Sequence, residues 1–201
     1  WLNRRWPLTE LGALYRETAA LPIALYLLLW IWISNIVSAG VATPLPYLPL
    51  LNPLELGQLL VLMACALWWR DSSFTQYLSA RVVLGGLAVL VLALLTGMVL
   101  RSVHHFADVP WESAALVRSR VAQAALSITW ALCAVGAMIV GNRRHLRAVG
   151  LAGAGLIVVV LLKLFTVDLA DHGGLYRVIS FMGVGVLILL VGYFAPIPPG
   201  E

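Results

Sequence analysis

Charge is scarce in this sequence. Of 201 residues, 11% are Asp, Glu, Lys or Arg, while 62% are hydrophobic. A water-soluble domain carries about 25% charged and about 45–50% apolar residues. A chain this short of polar surface cannot cover itself in water, so a soluble globular enzyme is excluded. Disorder and nucleic-acid binding are excluded with it, because the net charge of +4 is scattered between apolar runs instead of gathered into a patch. Cysteine is scarce too: Cys65 and Cys133 each sit inside an apolar run and read as small packing residues, not as a disulfide. No Cys/His spacing suggests zinc, so no metal and no cofactor is expected. P-loop, GxSxG and HExxH motifs are missing, as are carboxylates paired on one helical face. No signal-peptide pattern opens the chain. It begins at Trp1 instead of Met, and is expected to be a processed or trimmed product or the ordered end of something longer.

What the sequence has is long uncharged runs. An unpaired charge at the bilayer centre costs about 2.5–3.5 kcal/mol, so charges punctuate the spans. No charge occurs between Glu17 and Glu55, too long a run for one crossing, and 44-PLPYLPLLNP-53 is too proline-rich for regular helix. The remaining runs are each near the roughly 20 residues that cross the hydrocarbon. The expectation is an all-α polytopic membrane helical bundle of six transmembrane helices, at about 18–39, 54–69, 82–100, 121–141, 148–165 and 178–195. An interfacial segment 1–17 precedes this 18–196 domain and a tail 197–201 follows it. Open β structure is excluded by its unpaired edges in lipid. Arg81 and Arg147 open similar helices, as do Arg120 and Arg177, making the two helical hairpins a candidate repeat.

Orientation follows the basic residues. With the N-terminus cytoplasmic, the inner segments hold Arg4, Arg5, Arg16, Arg70, Arg81, Arg143, Arg144 and Arg147, and the outer ones Arg101, Arg118, Arg120, Lys163 and Arg177. The larger share is inside, which places both termini in the cytoplasm. Trp68, Trp69 and Tyr193 then belt the inner face, and Tyr47, Trp111 and Tyr176 the outer.

The outer loops, 101-RSVHHFADVPWESAALVRSR-120 and 163-KLFTVDLADHGGLYRVIS-180, gather cations that the topology rule disfavours, beside Asp108, Glu112, Asp168, Asp171, His104, His105 and His172. Salt bridges, lipid headgroups or a ligand must compensate them. Lys163 lies before the end of its span and must snorkel or pair, with Asp168 or Arg177 nearby in sequence. Arg177 and Ser180 share the first turn of the last span, with Gln123 in the corresponding place of the fourth. One reading is an ion network clamping the hairpin; the other is a ligand site. His104 and His105 point about 100° apart on a helix, which disfavours one shared metal and suits interfacial hydrogen bonding. His145, in 143-RRHLR-147, belongs to a basic inner surface. Ala148, Gly150, Ala152, Gly153, Ala154 and Gly155 allow close helix approach, and residues 43–56 read as a rigid, partly embedded cap.

The string 160-VLLKLFTVDLADHGGLYRVISFMGVGVLILLVGYF-194 resembles the C-terminal signature of the domain-of-unknown-function 2339 family of large predicted bacterial membrane proteins. The stretches 101-RSVHHFADVPW-111, 123-QAALSITWAL-132 and 44-PLPYLPLLNPLEL-56 are similar to the same family. The resemblance implies the C-terminal part of a longer chain and no established activity. It coincides with the candidate ligand-binding residues Arg101, His104, His105, Trp111, Gln123, Lys163, Asp168, Arg177 and Ser180. The expected function is a non-enzymatic module of the bacterial inner membrane that binds or moves an envelope lipid or anionic solute. The alternatives are an envelope-polymer transferase, with His104 or His105 as base and Asp168 orienting it, and an accessory subunit of a larger membrane complex. Expected partners are membrane lipids, the remainder of a longer chain or other subunits, and no nucleic acid.

Overall fold

The computed structural model describes residues 18–72, 76–164 and Gly185. Its helices are α1 (Ala20–Val37), α2 (Pro53–Asp71), α3 (Ala80–Phe106), α4 (Ser113–Arg118), α5 (Arg120–Arg143) and α6 (Arg147–Lys163). Among the described residues a lone Ala42–Leu45 bridge within a turn is all the β structure there is. The chain divides into two compact units, Trp1–Trp111 and Glu112–Glu201.

Three described helices are long and apolar enough to cross a membrane: Ala20–Val37, Arg81–Phe106 and Arg120–Arg143. Two of the other expected spans form helices but do not reach that standard. Glu55, Gln58, Arg70 and Asp71 dilute the apolar run of α2, and α6 has only 17 residues. Apart from Gly185, the sixth expected span, 178–195, lies outside the described residues, as do segment 1–17, tail 197–201 and thus the last helix of the candidate repeat. The third span differs from its expected range: α3 does not stop at residue 100 but runs through Arg101 to Phe106. At 1.5 Å per residue its 27 residues measure about 40 Å, longer than the roughly 30 Å hydrocarbon core. The expected loop 101–120 is therefore helix at its start, and it also contains α4.

In the first unit, α1 buries one stripe, Ala24, Ile31 and Asn35, at the seven- and four-residue steps of a helical face. Ile23, Tyr26, Ile36 and Val37 stay exposed, a surface suited to lipid. The start of α2 is written in 52-NPLE-55. Asn52 accepts from the Leu54 N–H at 2.9 Å, Pro53 occupies the first turn, and Glu55 adds negative charge there. α1 crosses α3 at Asn35, whose amide donates to the Ala93 carbonyl at 2.8 Å. A Cβ at Gly97 would overlap the Asn35 side chain, so only glycine admits this crossing.

In the second unit, α5 and α6 form a hairpin closed through 144–146, where His145 takes φ 54°. Their core is Ala134, Met138 and Ile157. Backbone approaches backbone at two glycines. A Cβ on Gly141 would come within 2.5 Å of the Gly150 nitrogen, and one on Gly153 within 2.6 Å of the Ala134 carbonyl. Gly155 has open space instead.

Gly97→Ala should lower the thermal unfolding midpoint, at a cost of about 1–3 kcal/mol from overpacking. Gly85→Ala, at a position with nothing within 4 Å, should leave it unchanged or raise it slightly. Equal behaviour of the two variants in a detergent melt would contradict the Asn35 crossing.

Candidate functional site

Arg101 is completely buried, with 0% exposure, on a helix that most of its neighbours leave open. Every arm of its guanidinium is used. Nε donates to Glu55 Oε1 at 3.1 Å, Nη1 to the Asn35 carbonyl at 3.3 Å, and Nη2 to Asn35 Oδ1 at 3.2 Å. Glu55, itself 5% exposed, is equally occupied. Oε1 also accepts from the Tyr47 hydroxyl at 2.7 Å, and Oε2 accepts from the Leu50 N–H. The buried ion pair thus joins α1, α2, α3 and the loop 38–52.

The loop is shaped around this pair. Gly40 sits at φ +73°, and a Cβ there would come within 2.9 Å of Arg101 Cδ, so glycine is needed for both conformation and space. The Gly40 carbonyl accepts from Asn52 Nδ2 at 2.6 Å, tying the loop to the cap of α2. Leu50 is held at φ 68°, a costly setting for a branched side chain, where its N–H meets Glu55. Burial, and then the bond to Glu55, push the Tyr47 phenol up from 10.0 to about 12: a negative phenolate beside a carboxylate in a dry setting is disfavoured.

A helix end leaves its last carbonyls without partners, and here side chains supply them. Asn35 O receives Arg101, Val37 O receives Trp111 Nε1 at 3.1 Å, and Ala39 O meets His105 Nε2 at 2.9 Å. A carbonyl only accepts, so His105 carries its proton on Nε2 in this bond. His104 carries one on Nδ1, facing the Val109 carbonyl at 2.6 Å. The rings form a row. Tyr47 stacks on His105 at 4.4 Å, His105 meets His104 edge-on at 4.8 Å, and His104 meets Trp111 at 5.9 Å. Deeper along α1, Gln58 (2% exposed) donates to Ser34 Oγ at 3.1 Å. A cavity of about 100 Å³ lies between α2 and α3, lined by Leu59, Leu62, Leu94, Leu95 and Met98 among others.

The second unit holds its polar groups differently. Lys163, at the end of α6, donates to the Gln123 carbonyl at 2.9 Å and to Ser127 Oγ at 2.7 Å. Gln123 donates to the Leu116 carbonyl at 3.3 Å. Arg118 and Arg120 are exposed.

Of the residues expected at a site, Arg101, His104, His105 and Trp111 come together in the first unit, and Gln123 and Lys163 in the second. Asp168, Arg177 and Ser180 lie outside the described residues. With Asp168 go the acid of the transferase reading and one expected partner of Lys163. Arg101 is not a loop cation awaiting a ligand; it is the centre of a closed network. Sequence reasoning passed over Glu55, Asn35, Asn52 and Gln58 as binding partners. The available signal was the polar residue inside an apolar run: Asn35 near the end of α1, and Glu55 and Gln58 three apart on one face of α2. Among the described residues no group of three His, Cys, Asp or Glu could hold a metal ion.

Residues 1–198 match the family described as predicted membrane protein (DUF2339), and the chain belongs to that family. No curated protein and no solved structure matches it.

The folded state keeps the Tyr47 proton more tightly than the unfolded chain. Its contribution to stability is therefore full below about pH 10 and is lost as pH rises through about 12. Ultraviolet phenolate titration should show one tyrosine ionising near pH 12 in the folded protein, and Tyr47→Phe should remove that step. A wild type without the late step would contradict the buried Tyr47–Glu55 bond.

Proposed function

We propose that this member of the DUF2339 family is a non-enzymatic, multi-pass module of the bacterial inner membrane that binds or moves an envelope lipid or anionic solute. Its membrane domain spans 18–196 and includes the three crossing helices of the described residues, with both termini in the cytoplasm. Arg101 is withdrawn from the ligand set, because Glu55 neutralises it. The ligand is met by cations of the second unit: Arg118, Arg120, Lys163 and, beyond the described residues, Arg177, with Gln123, Asp168 and Ser180 beside them. His105 and Trp111 meet carbonyls at the end of α1 and just beyond it, and His104 packs between their rings. The observation that carries the reading is a contrast of charge. Arg101 has a buried counter-ion, whereas Arg118 and Arg120 are exposed and have no ion-pair partner among the described residues. Uncompensated cations at a membrane surface attract anions at about 1 kcal/mol each.

A second reading, the accessory subunit, draws on the paired Gly85 and Gly86 of α3, which have no neighbour within 4 Å and leave a small-residue surface free for another helix.

Native mass spectrometry of the protein, gently solubilised from a bacterial lipid extract, tests the first reading. Wild type should retain an anionic lipid or solute, and Arg177→Ala should reduce that retention without shifting thermal unfolding. Arg101→Ala should instead lower the unfolding midpoint. A bare wild-type chain would remove the binding reading and favour the subunit.

A further inference from the structure

We propose that Arg118 and Arg120 form a site for the phosphate of an anionic glycerolipid headgroup. The proposal rests on the anion-binding reading above and names its ligand. Helix α5 acts as the ruler. It begins at Arg120 and ends at Arg143, and its 24 residues measure about 36 Å. That is slightly longer than the roughly 30 Å hydrocarbon core and shorter than the roughly 40–45 Å that include the headgroups. A helix spanning with an arginine at each end therefore sets both guanidiniums in headgroup layers.

At the Arg120 end, the local hydrogen-bond needs of the chain are already met. Ser119 Oγ accepts from the Ala122 N–H at 3.3 Å, and the Gln123 N–H reaches the Ser119 carbonyl at 3.0 Å. Arg118 and Arg120 are not consumed in this cap. Both are exposed, and among the described residues neither has an ion-pair partner. Exposed apolar side chains interleave with them: Val117 is 61% and Val121 55% exposed, while Leu116 is buried and anchors α4. The order is apolar, cation, serine, cation, apolar. Two planar forks suit the oxygens of a phosphodiester, which they can engage bidentately. The flanking valines suit a ligand with an apolar body behind its phosphate, which a free phosphate ion lacks.

The full chain in mixed micelles of phosphatidylglycerol and phosphatidylcholine tests this, read by native mass spectrometry. Wild type should retain phosphatidylglycerol preferentially. Arg118→Gln with Arg120→Gln should weaken retention about thirtyfold, from roughly fivefold for each interfacial charge. Arg143→Gln with Arg144→Gln, at the other end of α5, should leave this site's retention in place. If the double variant loses its fold, Arg118→Gln alone should show about fivefold. Preference retained in a folded double variant would overturn the site but leave the anion-binding reading standing. A wild type with no preference between the lipids would overturn both. Displacement of the lipid by millimolar inorganic phosphate would overturn the lipid assignment in favour of a free-phosphate site.

Discussion

The ion pair between Arg101 and Glu55 is the constraint on which the first unit depends. A single charge at lipid depth costs about 2.5–3.5 kcal/mol on insertion scales, and its remedy is a partner that is itself fully hydrogen-bonded. Arg101 and Glu55 meet that demand through Asn35, Tyr47 and the Leu50 N–H. The geometry then dictates much else. The loop must turn at Gly40 to clear the arginine, the crossing of α1 and α3 must have glycine at position 97 to clear Asn35, and α2 must begin where Asn52 caps it. A buried pair gives little net stability over an apolar isostere, yet removing one partner costs about 3–5 kcal/mol. Its value here is register: Arg101 meets α1 through both the backbone and the side chain of one residue.

The described helices of the second unit are joined differently. Its helices close on each other through Gly141, Gly150 and Gly153, where dispersion and tight backbone approach do the holding. The Lys163 ammonium is met by a carbonyl and a hydroxyl of α5. The two units thus represent the two available means of joining helices in lipid, a polar network and small-residue contact.

Much of this was legible in the sequence, and the misreading has one physical source. Treating charges as span boundaries placed α1, α5 and α6 close to their ends, because Arg120, Arg143 and Arg147 do stand at helix ends. The same rule cut α3 short at Arg101. It assumes an unpaired charge, and Arg101 is paired with a residue 46 positions away, which no local pattern reveals. Arg101, His104, His105 and Trp111 were recognisable as a group by their place at one end of a span. Their roles were not, since three of them answer carbonyls at the end of a different helix. Asn35 and Gln58 were visible as polar residues in apolar runs, but the crossing that makes Asn35 indispensable is a three-dimensional fact. The small-residue face of α6 was readable, though of its glycines only Gly153 has a Cβ position crowded by α5, while those of Gly150 and Gly155 are open.

The most direct test of the account is a double-mutant cycle on Arg101 and Glu55, using Arg101→Gln, Glu55→Gln and the pair, with reversible unfolding of the membrane-inserted protein as readout. If the pair is the clamp, each single variant leaves a buried charge unmatched and the double variant recovers much of the loss. The coupling should then be strongly favourable, at the upper end of the roughly 0.5–3 kcal/mol range for residues in one network. Additive losses would contradict the clamp and return Arg101 to the pool of cations available to a ligand.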